Sequence, residues 1–401
     1  MRDVAIVAAK RTPIGRHRGV LKDVRPDDLA ALVLKQVIDD INLDPALVDD
    51  VLMGAANQAG EDNRNVARMA LLLAGFPVTV PGSTLNRLCG SSLEAVNRGY
   101  QAIRSEEADI IVAGGVESMT RAPLVLPKSG LGYPSGNHTV YDTSIGWRMT
   151  NPKLAEMYYP FSMGETAENL AEKFQLSREA QDALALESHQ KAVHARESGH
   201  FEHEIVPVPI VDKKSGAVHY VSQDEHPRPD TSLEKLAKLK PAFRQGGTVT
   251  AGNSSGINDG AAAVVLMARE IAEARGIEPM AIIRGTGVAG VDPAIMGYGP
   301  VPATRRGLAR AGWNLGDLEQ VELNEAFAAQ TLAVLHDLPF DRGIVNRHGG
   351  AIALGHPLGA SGARILTTLI YGMRASGARK GLATMCIGVG QGIATVIERP
   401  T

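Results

Sequence analysis

Leu85-Asn86-Arg87-Leu88-Cys89-Gly90-Ser91-Ser92 leads into a helical pattern carrying Leu93, Val96, Tyr100 and Ile103, and Ala108-Asp109-Ile110-Ile111-Val112-Ala113-Gly114-Gly115 then reads as a buried strand ending on glycines. The far end of the chain repeats this plan. Gly359-Ala360-Ser361-Gly362 opens a helix with Ile365, Leu369 and Met373, followed by Gly381-Leu382-Ala383-Thr384-Met385-Cys386-Ile387-Gly388. Upstream, helical Pro26 to Asp40 runs through Asn42-Leu43-Asp44 to a strand at Val48 to Gly54. Helical Val301 to Gly312 likewise runs through Asn314 to Leu318 to a strand at Val321-Glu322-Leu323-Asn324. An echo at so long a period marks two duplicated α/β halves and not a solenoid. Strands alternating with helices predict mainly parallel sheets covered by helices.

The stretch from Met119 to Gly247 departs from the plan. It holds loop sequence rich in Pro, Gly and Tyr around Pro134 to Pro160, a helix over Gly164 to Ser198 and a polar loop around Lys213 to Asp230. It reads as an insertion, and such excursions often supply ligand-binding loops.

The bulk composition narrows the function classes. A chain of 401 residues is long enough for two or three domains with a substantial core. The 41 basic and 44 acidic residues nearly cancel, so no surface for nucleic acid or anionic membrane is indicated. No apolar run approaches the ~18 residues of a membrane span. The N-terminal Val4 to Ala9 is too short for a signal-peptide core and reads as a buried strand. Two cysteines cannot build a disulfide framework, and a cytoplasmic location is expected.

Those two cysteines, Cys89 and Cys386, are placed where a thiol can meet a ligand. Cys89 stands at a helix start, where the macrodipole is expected to lower its pKa. Cys386 closes an apolar run before Gly388-Val389-Gly390-Gln391-Gly392, and the imidazole of Gly355-His356-Pro357 could act as a base. Two thiols and a histidine suggest sulfur chemistry on an acyl group, with structural roles for each residue as the alternative. Cys89, Cys386, His348 and His356 also form a zinc-like ligand set, but none of the close pairs that mark structural zinc is present. Gly285-Thr286-Gly287-Val288-Ala289-Gly290 matches a dinucleotide pattern, yet Val291-Asp292-Pro293 follows instead of a helix, and Gly355 to Gly362 lacks a phosphate-loop lysine. Asn324-Glu325-Ala326-Phe327 puts an amide at a strand's C-terminal end, where ligands gather in open α/β sheets, or caps the next helix.

Together these segments resemble the thiolase family over essentially the whole chain. The matching stretches are Asn86 to Ser91, Gly114-Gly115-Val116-Glu117-Ser118-Met119, Thr250 to Ala262, Asn324 to Phe327, Gly349 to Pro357, and Cys386 to Gly390. The resemblance implies a thiolase-like α/β fold, two duplicated βαβαβαββ halves in a layered α/β/α/β/α core with an inserted loop domain. It divides the chain into 1–118, the first part of the N-terminal half; 119–247, the loop domain; 248–274, a return to that half; and 275–401, the C-terminal half.

The same resemblance implies that Cys89 takes the acyl group, His356 takes its proton and Asn324 positions a water in an oxyanion hole. Cys386 would move the proton at the α-carbon of acetyl-CoA, and the N–H groups of Cys89 and Gly388 would form a second oxyanion hole. Ala251, Ser255 and Arg228 would contact coenzyme A, Met163, Met296 and Phe327 would line the acyl end, and His348 replaces an Asn of many relatives. No metal or redox cofactor is then expected, coenzyme A being a substrate, and the partners are acyl-CoA and CoA in a homodimer or homotetramer. Ser162-Met163-Gly164 departs from the His-Met-Gly of acetoacetyl-specific enzymes. Gln58 to Arg68 and Asp142 to Trp147 look like the 3-oxoadipyl-CoA branch. The expected activity is that of a thiolase, the reversible conversion of a 3-oxoacyl-CoA and CoA into acetyl-CoA and a shortened acyl-CoA through an acyl group on Cys89; the rivals are a 3-oxoadipyl-specific enzyme, a decarboxylating 3-oxoacyl synthase, which Cys386 argues against, and a non-catalytic lipid-binding protein on the same fold.

Overall fold

Val4-Ala5-Ile6-Val7-Ala8-Ala9 carries no polar side chain, and the strand it forms, β1 (Val4–Arg11), is covered on both faces near the centre of a sheet. The structure, a computed structural model, describes residues 2–128, 130 and 135–400. Expectations for residues 1, 129, 131–134 and 401, including part of the loop from Pro123 to Trp147, lie outside the described residues.

The first half continues through α1 (Pro26–Asp39), β2 (Asp50–Gly54), α2 (Val66–Leu73), β3 (Gly82–Leu85), α3 (Ser91–Arg104) and β4 (Ile110–Ser118), and closes with β5 (Asn258–Ala268). Between β4 and β5 lie α4 (Met163–Lys173) and α5 (Arg178–Glu197). The second half runs β6 (Ala281–Gly290), α6 (Pro300–Ala311), β7 (Gln320–Leu323), α7 (Ala328–Asp337), α8 (Ser361–Ser376), β8 (Lys380–Ile387) and β9 (Gln391–Glu398). The counterpart of β3 is reduced to one parallel bridge, Val321 to Val345.

The strand order is β7-β8-β9-β6-β1-β5-β4-β2-β3, with the short Gly15–Arg16 strand on β5. The two halves join where β1 pairs with β6 through Val4–Ile283, Ala5–Ile282 and Ile6–Ala281. The expectation of mainly parallel sheets is corrected. Only β2–β3, β2–β4 and β7–β8 are parallel, while β1–β5, β4–β5, β1–β6, β6–β9 and β8–β9 are antiparallel. Each half ends on a strand that reverses against its predecessor, directly at β8–β9 and through the insertion at β4–β5, and helix–strand alternation does not reveal that reversal.

Five layers result. α1 and α2 cover the first half's sheet with Leu29, Val33, Val37 and Leu71. α6 and α7 cover the second with Val301, Leu308 and Val334. Between the two halves of the sheet α3 and α8 contribute Leu93, Val96, Ile103, Ile365, Leu369 and Met373 to a shared core. They meet so closely at Gly362 that a Cβ there would lie 2.5 Å from the Leu93 nitrogen. The helix expected over Gly164 to Ser198 is two, α4 and α5, because Gln175 takes a left-handed φ of 52° and Ser177 starts α5 by accepting from the Ala180 N–H at 3.1 Å. The polar loop at Lys213 contains a short hairpin of Val208–Val211 with Val218–Val221. Among the described residues no helix is long and apolar enough to cross a membrane.

Candidate active site

The loop before α3 is tied on both sides of Cys89. Asn86 accepts from the Leu88 N–H at 2.8 Å and donates to Ala56 O at 2.9 Å, while Ser91 accepts from the Arg87 N–H at 2.9 Å and donates to Leu88 O at 2.6 Å. Leu88 is left-handed at φ 46°, and beyond β8 so is Val389 at φ 63°, so a strained non-glycine residue stands beside each of Cys89 and Gly388. These two turns meet, and the Cys89 sulfur accepts from the Gly388 N–H.

The expected low pKa of Cys89 is corrected. α3 begins at Ser91, and burial, against the pull of the Gly388 and Cys89 N–H groups and with Glu117 adding to it, pushes the thiol up to about 11. Cys386, buried at the end of β8, is pushed up further by burial and by Cys89. At rest both sulfurs are thiols.

His356 is carried on a loop pressed against the end of β4. A Cβ at Gly115 would lie 2.1 Å from Gly359 O, so only glycine lets the two backbones approach this closely. Buried Asn258 accepts from the His356 N–H at 2.9 Å and donates to Gly15 O at 3.0 Å. Ser361 Oγ lies 2.6 Å from His356 Nδ1 and donates its own proton to Pro357 O at 2.8 Å, so Nδ1 carries the hydrogen and donates to Ser361. Nε2 is then a bare lone pair, buried and without a partner among the described residues. Burial, helped by the charge of Arg364, holds the imidazole down to about 3, which keeps it neutral.

Asn324 follows β7 with its backbone N–H on Thr384 O of β8 at 3.0 Å. It does not cap the next helix, which begins at Ala328. Both its side-chain amide atoms are buried and, among the described residues, without partners. An orphaned amide and an orphaned imidazole nitrogen in one protein's interior mark places for a polar ligand or water.

Cys386, Met296 and Phe327 pack in one apolar cluster with Met163 against it, and a Cβ built at Gly388 would lie 3.3 Å from the Met163 sulfur. Met163, Cys89 and Gly388 line a cavity of about 410 Å³ with Leu88, Leu358 and Val389. Part of its wall is the run from Thr143 to Arg148, held by Asn57 Nδ2 donating to Thr143 Oγ1 at 2.8 Å and Trp147 Nε1 donating to Phe161 O at 2.9 Å.

The other expected ligand residues do not line this cavity. Arg228 and Ala251 are exposed, and Ser255 donates its backbone N–H to Ala326 O at 2.9 Å. His348 stacks on His200 with centroids 3.4 Å apart, beside Phe201. Among the described residues no group of three His, Cys, Asp or Glu is placed to hold a metal ion.

Sequence reasoning missed Ser361, Asn258, Glu117 and Arg148. The first three lie within the matching stretches or at a helix start, and Arg148 directly follows the Asp142 to Trp147 stretch, whose resemblance does not single out a cation. Glu117 lines the cavity and accepts from the N–H groups of Ala56, Asn57 and Gly359 at 2.9, 3.2 and 2.8 Å; burial outweighs these bonds and raises its carboxyl to about 7.

Duplicated five-layer architecture, and a cavity lined by one thiol, Cys89, and by Met163, which also packs against the cluster holding the other, Cys386, define an α/β protein built for chemistry on a thioester. The family model described as thiolase, N-terminal domain, matches residues 4–270, and that described as thiolase, C-terminal domain, matches 277–399. The chain is 54% identical over 405 residues to a β-ketoadipyl-CoA thiolase of Pseudomonas putida, covering 100% of both. It is 52% identical over 402 residues to a 3-oxoadipyl-CoA/3-oxo-5,6-dehydrosuberyl-CoA thiolase of Escherichia coli K12, again covering 100% of both. A Bacillus anthracis acetyl-CoA acetyltransferase structure superposes with a TM-score of 0.94 at 44% identity, covering 100% of this chain and 99% of the other. The chain belongs to the thiolase family. It is an acyltransferase whose reaction is the reversible conversion of a 3-oxoacyl-CoA and CoA into acetyl-CoA and a shortened acyl-CoA.

Proposed function

We propose that the enzyme cleaves 3-oxoadipyl-CoA with CoA to acetyl-CoA and succinyl-CoA. The observation that carries this reading is full-length identity above one half to relatives named for that substrate. His356 Nε2 takes the Cys89 proton and the sulfur attacks the C3 carbonyl. The C2–C3 bond breaks, its electron pair passes to C2 as the acetyl-CoA enolate, and the Cys386 thiol protonates C2. Succinyl stays on Cys89 as a thioester until the CoA thiol displaces it.

The neutral states of His356 and Cys386 support this division, because a base must begin unprotonated and an acid protonated. The N–H groups of Cys89 and Gly388, already directed at the sulfur, hold the thioester oxygen, and Asn324 positions a water for the enolate oxygen. Met163, Met296 and Phe327 supply apolar walls. Arg228, Ala251 and Ser255 take the CoA body. Coenzyme A is a substrate in this scheme, and no metal or redox cofactor takes part.

The reading includes a cytoplasmic homodimer or homotetramer. Exposed Leu124, Leu126, Val140, Met157 and Tyr159 support burial against another copy. The test is kcat/KM for 3-oxoadipyl-CoA, 3-oxohexanoyl-CoA and acetoacetyl-CoA under one set of conditions. Preference for 3-oxoadipyl-CoA is expected; turnover of acetoacetyl-CoA alone overturns the assignment.

A further inference from the structure

Arg148 is the last residue of the cavity wall that begins at Thr143, and it shares that cavity with Cys89, Met163 and Gly388. Arg148 is half-buried and, among the described residues, its guanidinium has neither an ion-pair partner nor a hydrogen-bond acceptor. Two other arginines, Arg121 and Arg87, are committed. Arg121 is paired with Glu61, and Arg87 with Glu94 and Gln391. An arginine left without a counter-charge on a largely apolar cavity wall is a site for an anion, and its planar fork suits a carboxylate held through two parallel bonds.

We propose that Arg148 is the specificity residue that holds the terminal carboxylate of the acyl chain while its other end is bound to Cys89. The proposal deepens the reading given above and rests on it for the substrate's identity. An anion could come from the acyl chain or from the phosphates of coenzyme A. Position favours the chain, because the cavity is the one lined by Cys89 and Gly388, while Arg228, Ala251 and Ser255 lie off it. A succinyl group on Cys89 places its carboxylate carbon three bonds from the thioester carbon, within the span of one cavity. Trp147, anchored to Phe161 O at 2.9 Å, and Thr143, anchored by Asn57 at 2.8 Å, keep the wall carrying Arg148 from swinging away. The acidic residue on the lining, Glu117, has its oxygens turned to three backbone N–H groups and offers Arg148 no salt bridge.

The experiment compares 3-oxoadipyl-CoA with 3-oxohexanoyl-CoA, which has the same carbon count and the same CoA but no carboxylate. Wild type, Arg148→Ala and Arg148→Lys are assayed on both. A charged hydrogen bond lost from the bound state lowers kcat/KM for 3-oxoadipyl-CoA in Arg148→Ala by about 10- to 100-fold, chiefly through KM. Arg148→Lys keeps part of it, and turnover of 3-oxohexanoyl-CoA is retained, which also shows that the variant folds.

Equal loss on both substrates would assign Arg148 to the CoA phosphates or to the fold, and retention of 3-oxoadipyl-CoA turnover in Arg148→Ala would leave it no role; either overturns the proposal. If the wild type itself fails to cleave 3-oxoadipyl-CoA, the substrate reading falls. Competition by succinyl-CoA against butyryl-CoA then decides the site separately. Preference for succinyl-CoA that disappears in Arg148→Ala sustains the carboxylate site, and no preference in the wild type ends it.

Discussion

His356 Nδ1 and Ser361 Oγ lie 2.6 Å apart, and because the serine's hydrogen goes to Pro357 O, the bond sets the imidazole's tautomer as well as its orientation. The whole basicity of the ring is thereby placed on Nε2, which has no partner among the described residues.

Removing that acceptor should uncouple tautomer from position. Ser361→Ala is expected to slow acylation of Cys89 by about tenfold or more, as part of a general-base contribution of 10²–10⁴, while KM changes little. Rapid-quench mass spectrometry of the Cys89 peptide after mixing with acetyl-CoA measures it. An unchanged acylation rate would show that the tautomer does not depend on Ser361.

The two thiols should separate by step. In Cys386→Ala, carbon–carbon bond formation is expected to fall by about 10²-fold or more, the size of a lost general acid, while acyl transfer from acetyl-CoA to Cys89 continues at a measurable rate. Cys89→Ala should lose both. Equal loss of the two activities in a folded Cys386→Ala enzyme would contradict a dedicated proton-transfer role.

Because burial pushes the Cys89 thiol up to about 11, its alkylation by iodoacetamide in the free enzyme should keep accelerating from pH 7 to pH 10. A thiolate stabilised by an ion pair with imidazolium would instead give a rate that levels off below pH 8. The pH profile of the alkylation rate distinguishes the two.

Glu117 titrates near 7 in the folded protein and near the usual 4.5 when unfolded, so the folded state binds the extra proton between those values. Its contribution to stability is present in full below pH 4.5 and is lost as pH rises through about 7. Glu117→Gln removes this dependence, so the stability of wild type relative to that variant should decline from pH 5 to pH 8 by roughly 2 kcal/mol, the scale set by a shift of this size. Urea midpoints of both proteins across that range test it; parallel curves would show that the carboxyl is ionised throughout.

What could be read along the chain was local. The paired helix–turn–strand units announced the duplication, because apolar spacing and an acidic turn are written into a few consecutive residues. Cys89, Cys386 and His356 stood out in the same way, each beside a glycine that breaks a run, and Asn324 as the amide that ends a strand. The break between α4 and α5 was hidden, since the left-handed turn at Gln175 carries neither Gly nor Pro to mark it.

By itself, then, the sequence determined two α/β halves, their order and the motifs that bear the thiols, the amide and the imidazole, all consequences of short-range periodicity and turn chemistry. Only the tertiary structure decided that antiparallel pairs outnumber parallel ones, that Cys89 is a thiol at rest, and that the cavity reached by its sulfur is walled by Arg148. Strand direction depends on which neighbour a strand finds after an insertion, and a pKa depends on the water removed by distant segments packing overhead. Residues 89 and 148 belong to one cavity because the chain between them leaves the sheet and folds back over it, a relation that no window of sequence contains.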